Sequence, residues 1–270
     1  MIGTNLAITP KRFAPLGSST DADAQAFITA AGITNATQQS AVNQLVLDLK
    51  SANIWTKMKA IYPIVGGTAS THKWNLKDPR DLDAAFRLTF STGWTHSNNG
   101  MTPNGTSAFA DTFFIPSIDT DGTSHYSFYS KTDVAASSNV FGTNAPGPNY
   151  FYTLLNPRNT SNQCVSAINE NTGEFFVNSS SLGLFTLNRQ ASNDYDVWIN
   201  STKKINTTKA SLGRSSFKLY LGALNQAGTA GNYSTNQCAF FTGGSALTDT
   251  EVANLNTAIQ NYQTTLGRQV

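Results

Sequence analysis

The segment Asp194-Tyr195-Asp196-Val197-Trp198-Ile199-Asn200 alternates polar and apolar residues with period two. Successive side chains of a strand point to opposite faces, so this pattern predicts one buried face and one wet face. Asn200-Ser201-Thr202-Lys203 supplies a turn, and Lys204-Ile205 starts a return strand, which makes the region a hairpin. Phe217 to Ala223, after a Gly/Arg/Ser turn, predicts a second strand. Cys238 to Gly243, after a loop rich in Gly, Asn and Ser, predicts a third. The chain then closes with a helix. Thr248-Asp249-Thr250-Glu251 has the spacing of a capping box, in which the Thr248 hydroxyl accepts the Glu251 N–H and the Glu251 carboxylate reaches back. Val252, Leu255, Ile259, Tyr262 and Leu266 form its apolar stripe, and Gly267 its stop.

Upstream, the pattern starts differently. Residues 1–20 are punctuated by Pro10, Pro15 and Gly17 and read as an arm laid over the surface or onto a neighbour. A helix starts at Thr20-Asp21, with Ala24, Phe27, Ile28 and Ala31 as its apolar face and Gly32 as its end. Thr34 is placed to cap a second helix with Val42, Leu45, Val46 and Leu49 inward, fraying near Asn53. Ala60 to Val65 is a strand in which Pro63 argues for an edge or a bulge. Further strands are expected at 86–90, 106–113 (after an Asn104-Gly105 turn), 124–130, 150–155, 164–168, 173–177 and 182–187. Turn signals every ten or so residues mark a sandwich. The chain divides into an arm and helical segment, 1–59, and a β-sandwich with a C-terminal helix, 60–270, the helices of both ends packing on one side of the sandwich.

Charged residues are 13% of the chain, against about a quarter in an ordinary domain. Hydrophobic residues are 39%, enough to exclude disorder, and Ser, Thr, Asn and Gln replace the missing charge. The net charge of +2 shows no Lys/Arg cluster, which argues against a nucleic-acid partner. No stretch reads as a membrane span, and Met1 to Ala7 is too short and polar for a signal peptide core. A chain used without secretion, or one whose leader has been removed, is expected. Cys164 and Cys238 are then expected as two buried thiols, with an inter-strand disulfide as the alternative. The Asn-x-Ser/Thr triplets at Asn35, Asn104, Asn159, Asn178, Asn200, Asn206 and Asn232 follow from composition.

Two resemblances bear on class. Trp198-Ile199-Asn200, Leu219 to Ala223, Phe241 to Gly244 and Leu247 to Val252 resemble the LamG-like (concanavalin A-like) jelly-roll β-sandwich over the last third of the chain. That likeness implies a mainly β jelly-roll sandwich with the last helix packed beside it, to which the N-terminal helices read above are an addition. Residues 27–33, 60–67, 73–79, 93–96, 104–112 and 264–268 are similar to proteins of tailed bacteriophages, especially those of Bacteroidetes hosts, including crAss-like phages. This second likeness implies a structural part of the virion, assembled in the host cytoplasm: a fibre, head fibre or tail/baseplate-associated protein serving host attachment. Its partners would be other virion proteins and copies of itself, trimeric symmetry being common in fibres.

Candidate chemistry is sparse. The chain has three glutamates. Glu251 is spent on the helix cap, and Glu170 and Glu174 flank a hairpin turn, so they read as solvated charges and not as a glycosidase pair. His72, His96 and His125 lack metal-ligand spacing. No catalytic residue is expected, and the chain is not expected to be an enzyme. Asp119-Thr120-Asp121-Gly122 is a fragment of a calcium loop, and LamG relatives hold calcium in rim loops. The missing third Asp and terminal Glu favour an ordinary Asp-Gly turn, with calcium at Asp119 and Asp121 as the alternative. Trp94, His96 and Asn98 put an aromatic ring among hydrogen-bonding groups, the composition of a glycan-stacking site. The competing role for Trp94 is a plug at the edge of the core. A carbohydrate-binding or adhesion module recognising a bacterial surface glycan is therefore the alternative to a purely structural virion part.

Overall fold

Local signals fix the helices. The computed structural model describes residues 20–145 and 151–270. The N-terminal arm and the expected strand start at Tyr150 lie outside the described residues. Helix α1 (Ala22–Ala31) is capped by Asp21 and ends at Gly32 in the left-handed region, φ 65°. Helix α2 (Ala36–Ser51) is capped by Asn35, whose side-chain oxygen accepts the Gln38 N–H at 3.1 Å. The expected cap, Thr34, lies one residue too early; Asn is at least as good a cap. Both expected apolar stripes are buried. Short helices α3 (Ala69–His72) and α4 (Pro116–Asp119) follow in loops. Helix α5 (Asp249–Thr265) begins at the expected capping box.

In chain order the strands are β1 (Met58–Tyr62), β2 (Thr89–Phe90), β3 (Trp94–Ser97), β4 (Gly100–Pro103), β5 (Ala110–Asp111) and β6 (Ser124–Ser130). Then come β7 (Phe141–Ala145), β8 (Phe151–Asn156), β9 (Gln163–Glu170), β10 (Glu174–Val177), β11 (Gly183–Ala191) and β12 (Asp194–Ile199). The last are β13 (Thr202–Thr207), β14 (Tyr220–Leu221), β15 (Leu224–Gln226), β16 (Thr229–Gly231) and β17 (Cys238–Gly244). They form two sheets. The first runs β13-β12-β11-β6-β17-β4-β3, with β1 also on β17; the second runs β10-β9-β8-β7-β14-β5-β2, with β15 on β7 and β16 on β15. Pairing is antiparallel except where β15 meets β7. The fold is a mainly β sandwich, as expected.

The central strands of the first sheet are buried on both faces. Tyr126, Phe128, Phe185, Leu187, Tyr195, Val197 and Phe241 point between the sheets, where they meet Phe141, Leu155 and Ile168 of the second. Tyr129, Leu184, Trp198, Ala239 and Phe240 point the other way, into a layer closed by α1, α2 and α5. The expected wet face of 194–200 is thus covered. Trp198 lies under the helical layer, and the buried Asp196 carboxylate is held by Lys203 at 3.1 Å and by the Asn206 amide at 2.8 Å. Lys57 pairs with Glu251 at 2.6 Å, joining the start of the sandwich to the cap of α5.

Arg268 locks these layers. It is buried with no carboxylate partner among the described residues. Its guanidinium donates instead to the carbonyls of Ile64, Pro63, Ala239 and Asn98, and to the Gln263 side-chain oxygen. Ile64 has φ 47°, a conformation β-branched residues rarely adopt. The short Arg268 bond to its carbonyl, 2.7 Å, and the Tyr262 hydroxyl on Pro63 hold that bend.

Several strands are shorter than expected. Only Thr89–Phe90, Ala110–Asp111 and Tyr220–Leu221 pair within the 86–90, 106–113 and 217–223 segments. Phe86 (φ 58°) and Phe113 (φ 58°) turn the chain out of extended geometry. Asn104 does make its turn, with one side-chain oxygen accepting the N–H groups of Thr106, Ser107 and Ala108. Cys164 and Cys238 are both buried free thiols, and burial pushes their pKa values above the usual range, to about 12 for Cys238.

In Arg268→Met the Pro63 carbonyl keeps the Tyr262 hydroxyl and the Ala239 carbonyl keeps the Gln263 amide, but the buried Ile64 carbonyl and Gln263 side-chain oxygen lose their donor, so the expected cost is about 2 kcal/mol or more in urea unfolding, at ~1–3 kcal/mol per orphaned buried group. Arg268→Lys recovers part of this, because an ammonium cannot span the same fork. A loss below about 1 kcal/mol for the methionine variant contradicts the assignment.

Candidate functional site

One end of the sandwich gathers the turn before β6, the β11–β12 turn, the β9–β10 turn and the crossover after β13. Backbone bonds sew these loops together. The Ser211 N–H donates to the Ser192 carbonyl at 2.6 Å, and the Leu212 N–H donates to the Asn169 carbonyl at 2.8 Å. Arg214 donates to the Thr120 carbonyl. Between them opens a recess of about 310 Å³ lined by Asp121, Gly122, Thr123, Ser192, Ser211, Leu212, Gly213 and Arg214. Gly213 has φ 158° and lies against the Phe151 ring, where a Cβ would come within 2.8 Å of it. The wall therefore approaches more closely than any side chain would allow.

Behind these loops lies a buried ionic network. Arg189 is fully buried on β11 and donates to the carbonyls of Ile168, Ser192 and Lys209, each at 2.9 Å, with its guanidinium over the Tyr195 ring. Lys209 reaches Glu170 at 2.8 Å and Glu174 at 3.2 Å. Glu170 is thus not the solvated turn charge its position suggested. It points inward from the end of β9, and burial pushes its carboxyl above the usual range against the pull of Lys209. A recess of hydroxyls, one carboxylate and one guanidinium is joined to this network through Ser192. It can bond a polyhydroxylated ligand through donors and acceptors of fixed direction, with Leu212, 48% exposed, as an apolar edge.

Asp119 and Asp121 are neighbours here but do not converge. Asp119 accepts the Ile115 N–H at 2.6 Å, closing α4, and burial raises its pKa. Asp121 accepts from the Thr123 N–H and hydroxyl, which hold its carboxyl below the usual range. Among the described residues no group of three His, Cys, Asp or Glu side chains is arranged to hold a metal. Only Asp121 lines the recess.

Trp94, His96 and Asn98 lie elsewhere. What reads as a polar loop is β3, at the margin of the first sheet. Trp94 is half-buried, donates to the Phe109 carbonyl at 3.1 Å, meets the Phe90 ring edge-on and fills the space beside Gly222. That is the geometry of a plug. Asn98 lies past the strand end and turns toward α2, accepting from Gln38 at 3.4 Å. His96 faces His72. The Gly67 N–H donates to His72 Nε2 at 3.2 Å, so His72 carries its proton on Nδ1 and donates it to His96 Nδ1 at 2.9 Å. Burial depresses both rings, His72 to about 3. His125, also buried, bonds the Ser245 carbonyl and is lowered by burial to about 4.

Thr123, Ser192, Ser211, Leu212 and Arg214 carry no sequence signal beyond a Gly/Arg/Ser turn. The pairing of β6, β11, β12 and β13 brings them together from separated segments.

No protein family matches the chain, and no curated protein matches it. Solved structures match in fold. A mutant of Trypanosoma rangeli sialidase displaying trans-sialidase activity aligns with a TM-score of 0.55 at 10% identity, over 82% of this chain and 39% of that one. Domain 4 of the extracellular arabinanase AbnA from Geobacillus stearothermophilus, in complex with arabinotriose, aligns with a TM-score of 0.45 at 13% identity, over 74% of this chain and 98% of that domain. The binding domain of botulinum neurotoxin serotype G gives 0.48 at 13%, over 74% of this chain and 50% of that one. The likeness to the sialidase shows the fold alone, and the chain spans about two fifths of its length.

The buried histidines set a pH dependence. Each is neutral in the fold and binds a proton more readily once unfolded, near the ordinary value of 6.5. Their stabilisation is complete above that value and is lost as pH falls toward about 3 for His72 and about 4 for His125. Below about pH 6.5 each is expected to remove up to ~1.4 kcal/mol per pH unit in urea unfolding. An unfolding free energy flat from about pH 7 to about pH 5 contradicts these assignments.

Proposed function

We propose that this chain is a glycan-recognition module whose ligand occupies the recess at the loop end of the sandwich. The observation that carries this is the convergence of Asp121, Arg214 and the hydroxyls of Thr123, Ser192 and Ser211 on one recess joined through Ser192 to the Arg189–Glu170–Lys209 network. Sugars are bound by directed polar groups beside an apolar edge, and rigid support keeps the cost of ordering low. The fold is consistent with this reading, being shared with part of a sialidase that has been seen holding sialic acid. The module recognises and does not cleave. Its paired glutamates are committed to Lys209, and the Asp121 carboxylate is committed to Thr123.

A second reading sets the same module on a phage particle, as an attachment protein in contact with other virion proteins and with copies of itself. It is favoured by the resemblance of residues 60–67, 73–79, 93–96 and 104–112 to tailed-phage proteins. Proteomics of purified particles tests it; absence of the chain from intact virions removes this reading and leaves the first untouched.

Glycan-array binding followed by calorimetry tests the recess. Arg214→Ala and Asp121→Ala are each expected to weaken the selected glycan by about tenfold, the worth of a charge-assisted hydrogen bond. Trp94→Ala is expected to lower stability and leave affinity per folded molecule unchanged. Undiminished binding in both recess variants, or binding lost only with Trp94, contradicts the proposal.

A further inference from the structure

A second recess, of about 400 Å³, lies where β1 meets the loop between α3 and β2. It is lined by Thr56, Met58, Lys59, Lys77, Asp78, Ala84 and Phe86. Its charge is unusual for this chain. Lys50, Lys57, Lys73, Lys203, Lys209 and Lys218 each sit on a carboxylate. Among the described residues, Lys59, Lys77, Lys131 and Lys204 have no carboxylate in ion-pair contact, and the first two line this one recess. Asp78, the carboxylate in the lining, is already held in a fork by Arg80, at 2.7 and 2.5 Å.

Lys77 is fixed in place. Its ammonium donates to the Trp55 carbonyl at 2.9 Å and stands 4.3 Å from the centre of the Trp55 ring. Burial pulls its pKa below the ordinary value, with Asp23 opposing the shift and Lys50 adding to it. Lys59 is the exposed member of β1, free to swing over the opening. The opposite wall is apolar: Met58, Ala84 and the ring of Phe86. Phe86 has φ 58°, and its carbonyl accepts the buried Tyr62 hydroxyl at 2.6 Å, so the ring's position is set from the core. Two lysines and an aromatic residue lining one recess match a ligand that carries an anionic group and an apolar face.

We propose that this recess binds a carboxylate-bearing sugar, with Lys59 and Lys77 on the carboxylate and Phe86 against the face of the ring. The sugar part rests on the glycan reading of the fold; the anionic part rests on the two unpaired ammoniums. The site is separate from the loop-end recess, with which it shares no residue.

Methyl glucuronide and methyl glucoside, titrated into the full chain and followed by amide chemical shifts and calorimetry, test it. The glucuronide is expected to bind at millimolar concentration, to shift amides of Lys59, Lys77 and Phe86, and to bind about tenfold more tightly than the glucoside. Added salt weakens it. Lys59→Ala, at an exposed position that leaves the fold intact, is expected to remove about tenfold of that affinity, and Arg214→Ala none. Lys77→Met removes a core contact as well and is read only with its melting curve. Equal binding of both glycosides, binding insensitive to Lys59→Ala, or shifts confined to the loop end overturns the proposal. In the last case the glycan reading of the loop end survives. If neither glycoside nor any arrayed glycan binds, both fall together.

Discussion

The structure depends on the burial of the central strands of its first sheet on both faces. An antiparallel sheet commonly keeps one face in water. Here β6 and β17 are buried along their whole length and β11 from Gly183 to Arg189, because the second sheet covers one side and α1, α2 and α5 cover the other. Each strand therefore serves two cores. Phe241 points between the sheets, while its neighbour Phe240 packs on Tyr262 of α5. Phe240 and Phe241 pair in regular register with Tyr129 and Phe128, and the period-two alternation of the strand sends the two rings to opposite faces. The helices are thus a layer of the fold.

Such a fold leaves few buried charges: the carboxylates of Asp196 and Glu170 are held by lysines, and the two buried guanidiniums mostly by the backbone. Arg268 and Arg189 both lie at the limit of burial, and each spends its donors on carbonyls. Burying a cation is costly unless its hydrogen bonds are made. In return each pins loops that carry no regular structure: Arg268 the bend at Pro63-Ile64, Arg189 the ends of β9, β11 and β13. The second of these is what ties the loop-end recess to the strands behind it. Low overall charge does not mean weak electrostatics when a few ions are placed at the joints.

The sequence made the framework legible where signals are local. The Thr248–Glu251 capping box and the Gly32 stop were read as they stand, while the Asp194–Ile199 alternation marked the strand but not the covering of its second face. Strands without alternation were harder. Phe141–Ala145 is buried on both faces and carries Gly, Thr and Asn, so no period marks it. Trp94–Ser97 reads as a polar loop because it pairs at a sheet margin with mixed exposure. Sites assembled across strands were hardest. Glu170 looks like a turn charge until Lys209, distant in sequence, is folded onto it. Arg214 and Ser192 come together only through sheet register. Trp94 shows the converse: its residue type suits sugar stacking, but its neighbours Phe90 and Gly222 make it part of the wall.

Function follows from what this arrangement leaves free. With helices over one sheet and the strand bodies packed, directed polar groups reach solvent together at the loop end. All of this requires the helices and the sandwich to be one cooperative unit. Native-state amide hydrogen exchange measures that directly. The account predicts that α2 and α5 exchange with the same opening free energy as β6, β11 and β17, at the level of global unfolding. If α1 and α2 exchange early while the sandwich amides stay protected, the helices are an appendage, and the two-faced sheet is not what holds this protein together.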